Sequence, residues 1–386
     1  MNYCQSLEQV KDQDAVQLLT EAQSLLTRGK LDKSESLCRL ALDKDRRNPD
    51  AISLLGLVAH QTGHKDQAKQ LLFRATETAP QVAIHHFRLG NIYFDKGNLD
   101  EAIASYRRAL QLDPNYFAVL VNLGNTLLSK NNFDEAVDVS LKVLDKSPRC
   151  SEALSNLGQA YIKLGCFSKA YSALTKTVDY SPRNYMFRNN FGVLQQLIGD
   201  VDGAIESFQM ALGLGQNCRL AERNLKIAVL NSPKWKMSDL FDLHKTLGHR
   251  HQQICNIQFS FPDHDFSPDR KLRIGYITSD FCEHPVGKNL LPLIKNHDHS
   301  SFQIHLYSCV ERPDKLTQEY VNLADQWRDI GSLEDHKIAK VIIDDQIDIM
   351  VFLAGRFNLN RPEVAAHRPA PVQISFHDGA TSGLKA

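Results

Sequence analysis

NLGNTLLSKNNFDEA at 122–136 and NLGQAYIKLGCFSKA at 156–170 are one pattern written twice, 34 residues apart. Each opens on an Asn-Leu-Gly step and closes on alanine, with apolar residues between them at helical spacing. Small residues at both ends let two helices cross closely, where a larger side chain would collide. Gly56, Gly90, Gly124, Gly158 and Gly192 keep the interval, and Ala22 holds the phase one period earlier. Ala68, Ala102, Ala136, Ala170 and Ala204 follow in a second column that Ser34 begins. Leu55, Leu89, Leu123, Leu157 and Phe191 form a third, and Pro80, Pro114, Pro148 and Pro182 a fourth.

Several residue types agreeing in phase make this pattern resemble the tetratricopeptide repeat (TPR), a helical hairpin of 34 residues. Six units result, at 15–48, 49–82, 83–116, 117–150, 151–184 and 185–218, after an N-terminal segment at 1–14. Gly29, Gly63, Gly97, Gly165 and Gly199, with Asn131 in the fourth unit, fall at the turn between helices. Gly and Asn both accept the left-handed conformation that ends a helix. The prolines stop the second helices. Stacked units predict a curved solenoid whose first helices line the concave face, and 219–231 reads as a capping helix. Asn122, Asn156 and Asn190 recur two residues before the glycines. A column of amides can hold an extended peptide backbone; three solvated polar side chains are the plainer reading.

From 232 the period stops. Ser238 reads as the N-cap of a helix to about 251, and PDHDFSPDR at 262–270 as a connection. Strands are predicted at 273–280, 304–310, 327–331, 347–355 and 372–376. They alternate with helices near 286–295, 314–325 and 333–345. The fold class is therefore an α-helical TPR solenoid followed by an α/β Rossmann-like lobe at 232–386. Ligands in such sheets bind beyond the carboxyl ends of the strands, which points to 279–289, 309–314, 355–361 and 377–383.

Composition narrows the function classes. Among 386 residues, 45 basic and 45 acidic side chains give no net charge. The balance holds locally, at 27 basic to 25 acidic over 1–231. A mainly electrostatic nucleic-acid binder is not expected. No basic and apolar leader opens the chain, and no apolar run approaches the roughly 18 residues of a membrane span. The eight cysteines form no CxxC pair, which predicts reduced thiols and a cytoplasmic protein without a metal site.

LRIGYITSDFCEHPVG (272–287), DIMVFLAG (348–355), HRPAPVQ (367–373) and TSG (381–383) resemble the O-linked N-acetylglucosamine (O-GlcNAc) transferase family, bacterial members above all. With the repeats, the resemblance covers about 15–386. It implies the first half of a glycosyltransferase-B architecture and transfer of N-acetylglucosamine from UDP-GlcNAc to Ser or Thr of proteins bound in the TPR groove. Some plant and bacterial relatives use GDP-fucose. It implies a nucleotide sugar as donor substrate and no cofactor. His284 matches a histidine of the family's active cleft, and His244 one proposed as the base. Either could take the acceptor proton, donate to the sugar or diphosphate, or be structural. His297 and His299 read as surface residues.

Two departures from the family pattern stand out. Arg356-Phe357 replaces a frequent His-Thr, and FHDGATSG replaces LGYPGTSG. Phe376, His377 and Thr381 would then face the sugar subsite, with a different donor or lower activity, or ordinary loop drift, as the consequence. The lobe that grips the nucleotide in the family has no counterpart up to Ala386, so the expectation is little transfer by this chain alone. A TPR interaction adaptor with an incomplete or degenerate lobe is the other reading.

Overall fold

The structure is a computed structural model that describes residues 14–215, 218–255, 259–261, 264–267, 269–353 and 361–376. The chain divides into two compact units, Met1–Ile198 and Gly199–Ala386. The dividing line runs through the sixth predicted repeat.

Twelve helices carry the 34-residue period among the described residues, the first ten of them in hairpin pairs. They are α1 (Ala15–Thr27) with α2 (Leu31–Lys44), α3 (Pro49–Gln61) with α4 (Lys65–Thr78), and α5 (Ala83–Asp95) with α6 (Leu99–Leu112). Then come α7 (Phe117–Ser129) with α8 (Phe133–Lys146), α9 (Ser151–Lys163) with α10 (Phe167–Tyr180), and α11 (Tyr185–Leu197) and α12 (Val201–Leu214). The turn residues are left-handed as expected, Asn131 at φ 64° beside Gly165 at 72°. The column glycines have a packing role. A Cβ on Gly90 would sit 2.6 Å from the Tyr106 ring, and one on Gly158 2.5 Å from Leu174 Cγ. The second helix of each of those hairpins therefore drives a large side chain onto the first helix's bare backbone.

Polar ties join first helices of successive repeats inside this unit. Asn122 Nδ2 donates to Asn91 Oδ1 at 2.9 Å, Asn156 Nδ2 to the Val121 carbonyl at 3.1 Å, and Asn190 Nδ2 to Ser155 Oγ at 3.3 Å. Arg88, in the same phase, donates to Ser53 Oγ at 2.8 Å and to Gln23 Oε1 at 3.0 Å.

In the second unit, α13 (Arg219–Leu230) and α14 (Met237–Ile254) precede the sheet. Ser238 is not the N-cap of α14: Lys236 is, and its N–H donates to Asp239 Oδ2 at 2.9 Å. Glu222 and Lys226 of α13 are buried, with His251 of α14 2.9 Å from Glu222. Burial alone would raise Glu222, yet the His251 and Lys226 partners outweigh it and bring the carboxyl down to about 2.

Five parallel strands complete the unit: β1 (Leu272–Thr278), β2 (Phe302–Ser308), β3 (Gln326–Asp329), β4 (Ile349–Leu353) and β5 (Val372–Phe376), in the order β3-β2-β1-β4-β5. Helices α15 (Pro285–Lys295) and α16 (Lys315–Leu323) bring Leu290, Ile294, Leu316 and Tyr320 onto Ile274, Tyr276, Ile304 and Leu306. On the other face α17 (Asp335–Asp344) and a 3-10 turn, Pro362–His367, bring Ile338, Ile342 and Val364 onto Ile277, Tyr307 and Met350. Arg361 anchors that turn to Asp335 at 2.8 Å, and Arg219 of α13 meets the same carboxylate. His297 is not a surface residue; it is half-buried, and its ring pairs with the Tyr276 hydroxyl at 2.8 Å.

Candidate active site

The strand order reverses between β1 and β4, and open parallel sheets hold ligands beyond the carboxyl ends of the strands at such a point. The loop leaving β1 therefore sets the chemistry on offer. Thr278 and Asp280 are buried, and the Asp280 N–H donates to Thr278 Oγ1 at 3.1 Å. Phe281 packs against Tyr320 and Trp327, which pins the loop from beneath. The chain then reaches His284 in extended conformation, at φ −133° and ψ 149°.

His284 is the N-cap of α15. Its Nδ1 accepts the Val286 N–H at 3.3 Å, one of the donors that a helix start leaves without a backbone partner. A neutral imidazole accepting at Nδ1 carries its proton on Nε2. Asp280 Oδ2 lies 3.8 Å from Nδ1, too far for a hydrogen bond. The side chain is 35% exposed, so it is held at one edge and accessible at the other.

Three residues that sequence reading overlooked hold this loop. Gly287 is the first: a Cβ there would lie 2.3 Å from the Asp280 carbonyl oxygen and 2.4 Å from that of Cys282. Tyr320 donates its hydroxyl to the Gly287 carbonyl. Asp314 accepts the Glu283 N–H at 2.6 Å and, as N-cap of α16, the Thr317 N–H at 3.0 Å. Those N–H donors, Glu283 first, hold its carboxyl below the ordinary carboxylate range. DKLT at 314–317 is a capping-box pattern, a signal the sequence did contain. Beyond β2 and β3, Ser308, Asp314, Thr317, Trp327 and Asp329 line a cavity of about 190 Å³.

The other expected site residues are scattered. His244 is on α14 and only 5% exposed. Phe376 ends β5, opposite Leu353, and is 46% exposed at the same end of the sheet as the His284 loop. His377 and Thr381 lie outside the described residues. Asn122, Asn156 and Asn190 belong to the first unit, each with one amide N–H already engaged. Among the described residues no group of three His, Cys, Asp or Glu side chains could hold a metal ion. No described helix is long and apolar enough to cross a membrane.

Comparison with known proteins agrees with this fold. Residues 239–385 match the model of glycosyl transferase family 41. Tetratricopeptide models match 25–88, 90–131, 121–173 and 157–219. The chain is 29% identical over 169 residues to the probable UDP-N-acetylglucosamine--peptide N-acetylglucosaminyltransferase SPINDLY of Petunia hybrida, covering 43% of this chain and 18% of that protein. It is 32% identical over 141 residues to SPINDLY of Arabidopsis thaliana, covering 36% and 15%. A solved mutant O-GlcNAc transferase of Thermobaculum terrenum aligns at 28% identity and TM-score 0.55, over 69% of this chain and 52% of that one. The chain thus spans under one fifth of those plant relatives and about half of the bacterial structure.

Proposed function

From a chain that joins TPR repeats to the N-terminal lobe of a family 41, O-GlcNAc-transferase-type catalytic region, we propose a protein O-glycosyltransferase. The donor is UDP-GlcNAc, the acceptor a Ser or Thr hydroxyl, and the repeats hold the acceptor polypeptide. The carrying observation is His284, fixed as a helix N-cap where the β1 loop meets the strand-order reversal. With Nδ1 accepting from Val286, the open edge of the neutral ring presents Nε2–H, a donor. His284 is thus suited to hydrogen-bond an oxygen of the donor sugar or diphosphate, whose charge grows as the bond to the sugar breaks. A proton-accepting role at Nε2 would require the opposite tautomer and the loss of the cap. His244, buried in α14, has no comparable open edge.

In the ladder, each Nδ2 spends one N–H within the array, so its second N–H and the Oδ1 atoms of Asn122, Asn156 and Asn190 are what a peptide backbone could use. The test is transfer of labelled N-acetylglucosamine from UDP-GlcNAc to a Ser/Thr peptide, with GDP-fucose as the competing donor. His284→Ala is expected to keep its fold and lose about a hundredfold in transfer. Wild-type turnover in that variant removes His284 from the mechanism. Peptide binding without transfer from either donor favours the adaptor reading.

A further inference from the structure

The other end of the sheet holds a second polar cavity, beneath the amino ends of β1 and β2. Its volume is about 330 Å³, and its lining is three cations, Arg270, Lys271 and Arg273, the amides of Gln303 and Gln346, and His264 and Asp265. That falls at the low end of small-molecule sites, about 300–1,000 Å³, and exceeds what a lone tetrahedral oxyanion fills. Among the described residues no apolar side chain lines it.

The charges there do not cancel. Arg270 is matched by Asp348, which also accepts from His264 at 2.5 Å and from the Arg273 N–H at 2.7 Å. Asp265 is held by Ser267, through its N–H at 2.9 Å and its hydroxyl at 2.6 Å. Among the described residues the side chains of Lys271 and Arg273 have neutral acceptors: the His299 carbonyl at 2.6 Å for Lys271, and Gln346 Oε1 at 2.8 Å with the Asp345 carbonyl at 3.4 Å for Arg273. Neither charged side-chain group meets a carboxylate within 4.0 Å among the described residues. Register places Arg273 opposite Gln303, so both leave the same face of the sheet, and Arg273 fixes Gln346 with its amide nitrogen as a donor. On that face His305 follows, 7% exposed, with no hydrogen-bond partner on either ring nitrogen. Lys271 and Arg273, without carboxylate partners of their own, outnumber the one lining carboxylate, Asp265, which faces Arg270 at 3.5 Å; with the spare amide donors around one sugar-sized space they describe a receptor for a phosphorylated, hydroxyl-rich molecule.

We propose that this cavity binds a sugar phosphate, its phosphate against Lys271 and Arg273 and its hydroxyls on Asp265, Gln303 and Gln346. The site lies at the end of the sheet opposite His284, so its ligand would be an effector and not the transferred sugar.

Calorimetric titration of the 386-residue chain with glucose 6-phosphate, inorganic phosphate and glucose tests this. Glucose 6-phosphate is expected to bind, glucose to give no heat, and inorganic phosphate to bind about tenfold more weakly. Lys271→Gln, at an exposed position, should weaken glucose 6-phosphate by about tenfold with the unfolding midpoint unchanged, and adding Arg273→Gln should abolish binding. Absence of glucose 6-phosphate binding overturns the proposal, as does affinity indifferent to Lys271→Gln. Equal affinity for inorganic phosphate overturns the sugar part and leaves a bare anion site.

Discussion

The Asn156 side-chain amide donates to the Val121 carbonyl of the preceding repeat, 3.1 Å away, with the asparagine only 7% exposed. An amide that reads as ligand-facing in sequence is thus also a tie between first helices. Asn156→Ala should destabilise the first unit by about 1 kcal/mol, a hydrogen bond's net worth, before any peptide is added. Urea unfolding of the free protein checks it; an unchanged midpoint would mean the tie is dispensable. Peptide affinity of the variant must be read well below its unfolding transition.

Gly287 carries the opposite kind of constraint. Alanine there would press its Cβ into two backbone carbonyl oxygens, which cannot rotate away as a side chain would. Gly287→Ala is expected to cost about 2 kcal/mol and to displace the His284 loop. The readouts are thermal unfolding of the second unit and a transfer rate that falls together with stability.

Glu222 should report acid sensitivity. Its carboxyl lies at about 2 in the folded protein against an ordinary 4.5, so its contribution is present above pH 4.5 and is lost as pH falls toward 2. Glu222→Gln should remove that acid dependence. It should also cost about 3 kcal/mol at neutral pH, because Lys226 and His251 lose their buried partner. Denaturant titrations over this pH range measure both effects.

His85 gives a second, milder pH window. It is fully buried on α5 with neither ring nitrogen hydrogen-bonded, and burial pulls it below the ordinary 6.5. Asp50, 3.6 Å away, opposes that shift, while Arg88 and His86 add to it. Unfolding then takes up a proton below pH 6.5. The stability is full above that value and falls by at most about 1.4 kcal/mol per pH unit as pH drops toward the native value. His85→Leu should flatten this slope, measured as urea midpoints at about pH 7.5 and about pH 5.5.

The repeats were legible because a period is a redundant signal: Gly90, Ala102 and Pro114 each mark the phase. Asn131 could be read as a turn residue because so few residues tolerate its φ of 64°. The strands were legible as apolar runs; their order follows from short right-handed connections between parallel neighbours. Less legible was everything set by distant partners. The N-cap role of His284 depends on where α15 begins, and the hold of Asp314 on Glu283 spans two connections. The burial of His297 against Tyr276 has no local mark in HDHSS at 297–301 at all. The amino-end cavity gathers Lys271, Gln303 and Gln346, which no spacing rule connects.

Arg88 reaches across two boundaries at once, from the third repeat to Ser53 in the second and Gln23 in the first. A linear array of repeats ordinarily couples only adjacent units, which lets it fray stepwise from an end. One guanidinium gripping three units makes the start of this array a single mechanical block. Pulled from its N-terminus, the protein should resist and then release those repeats in one rupture, while the later ones peel away individually.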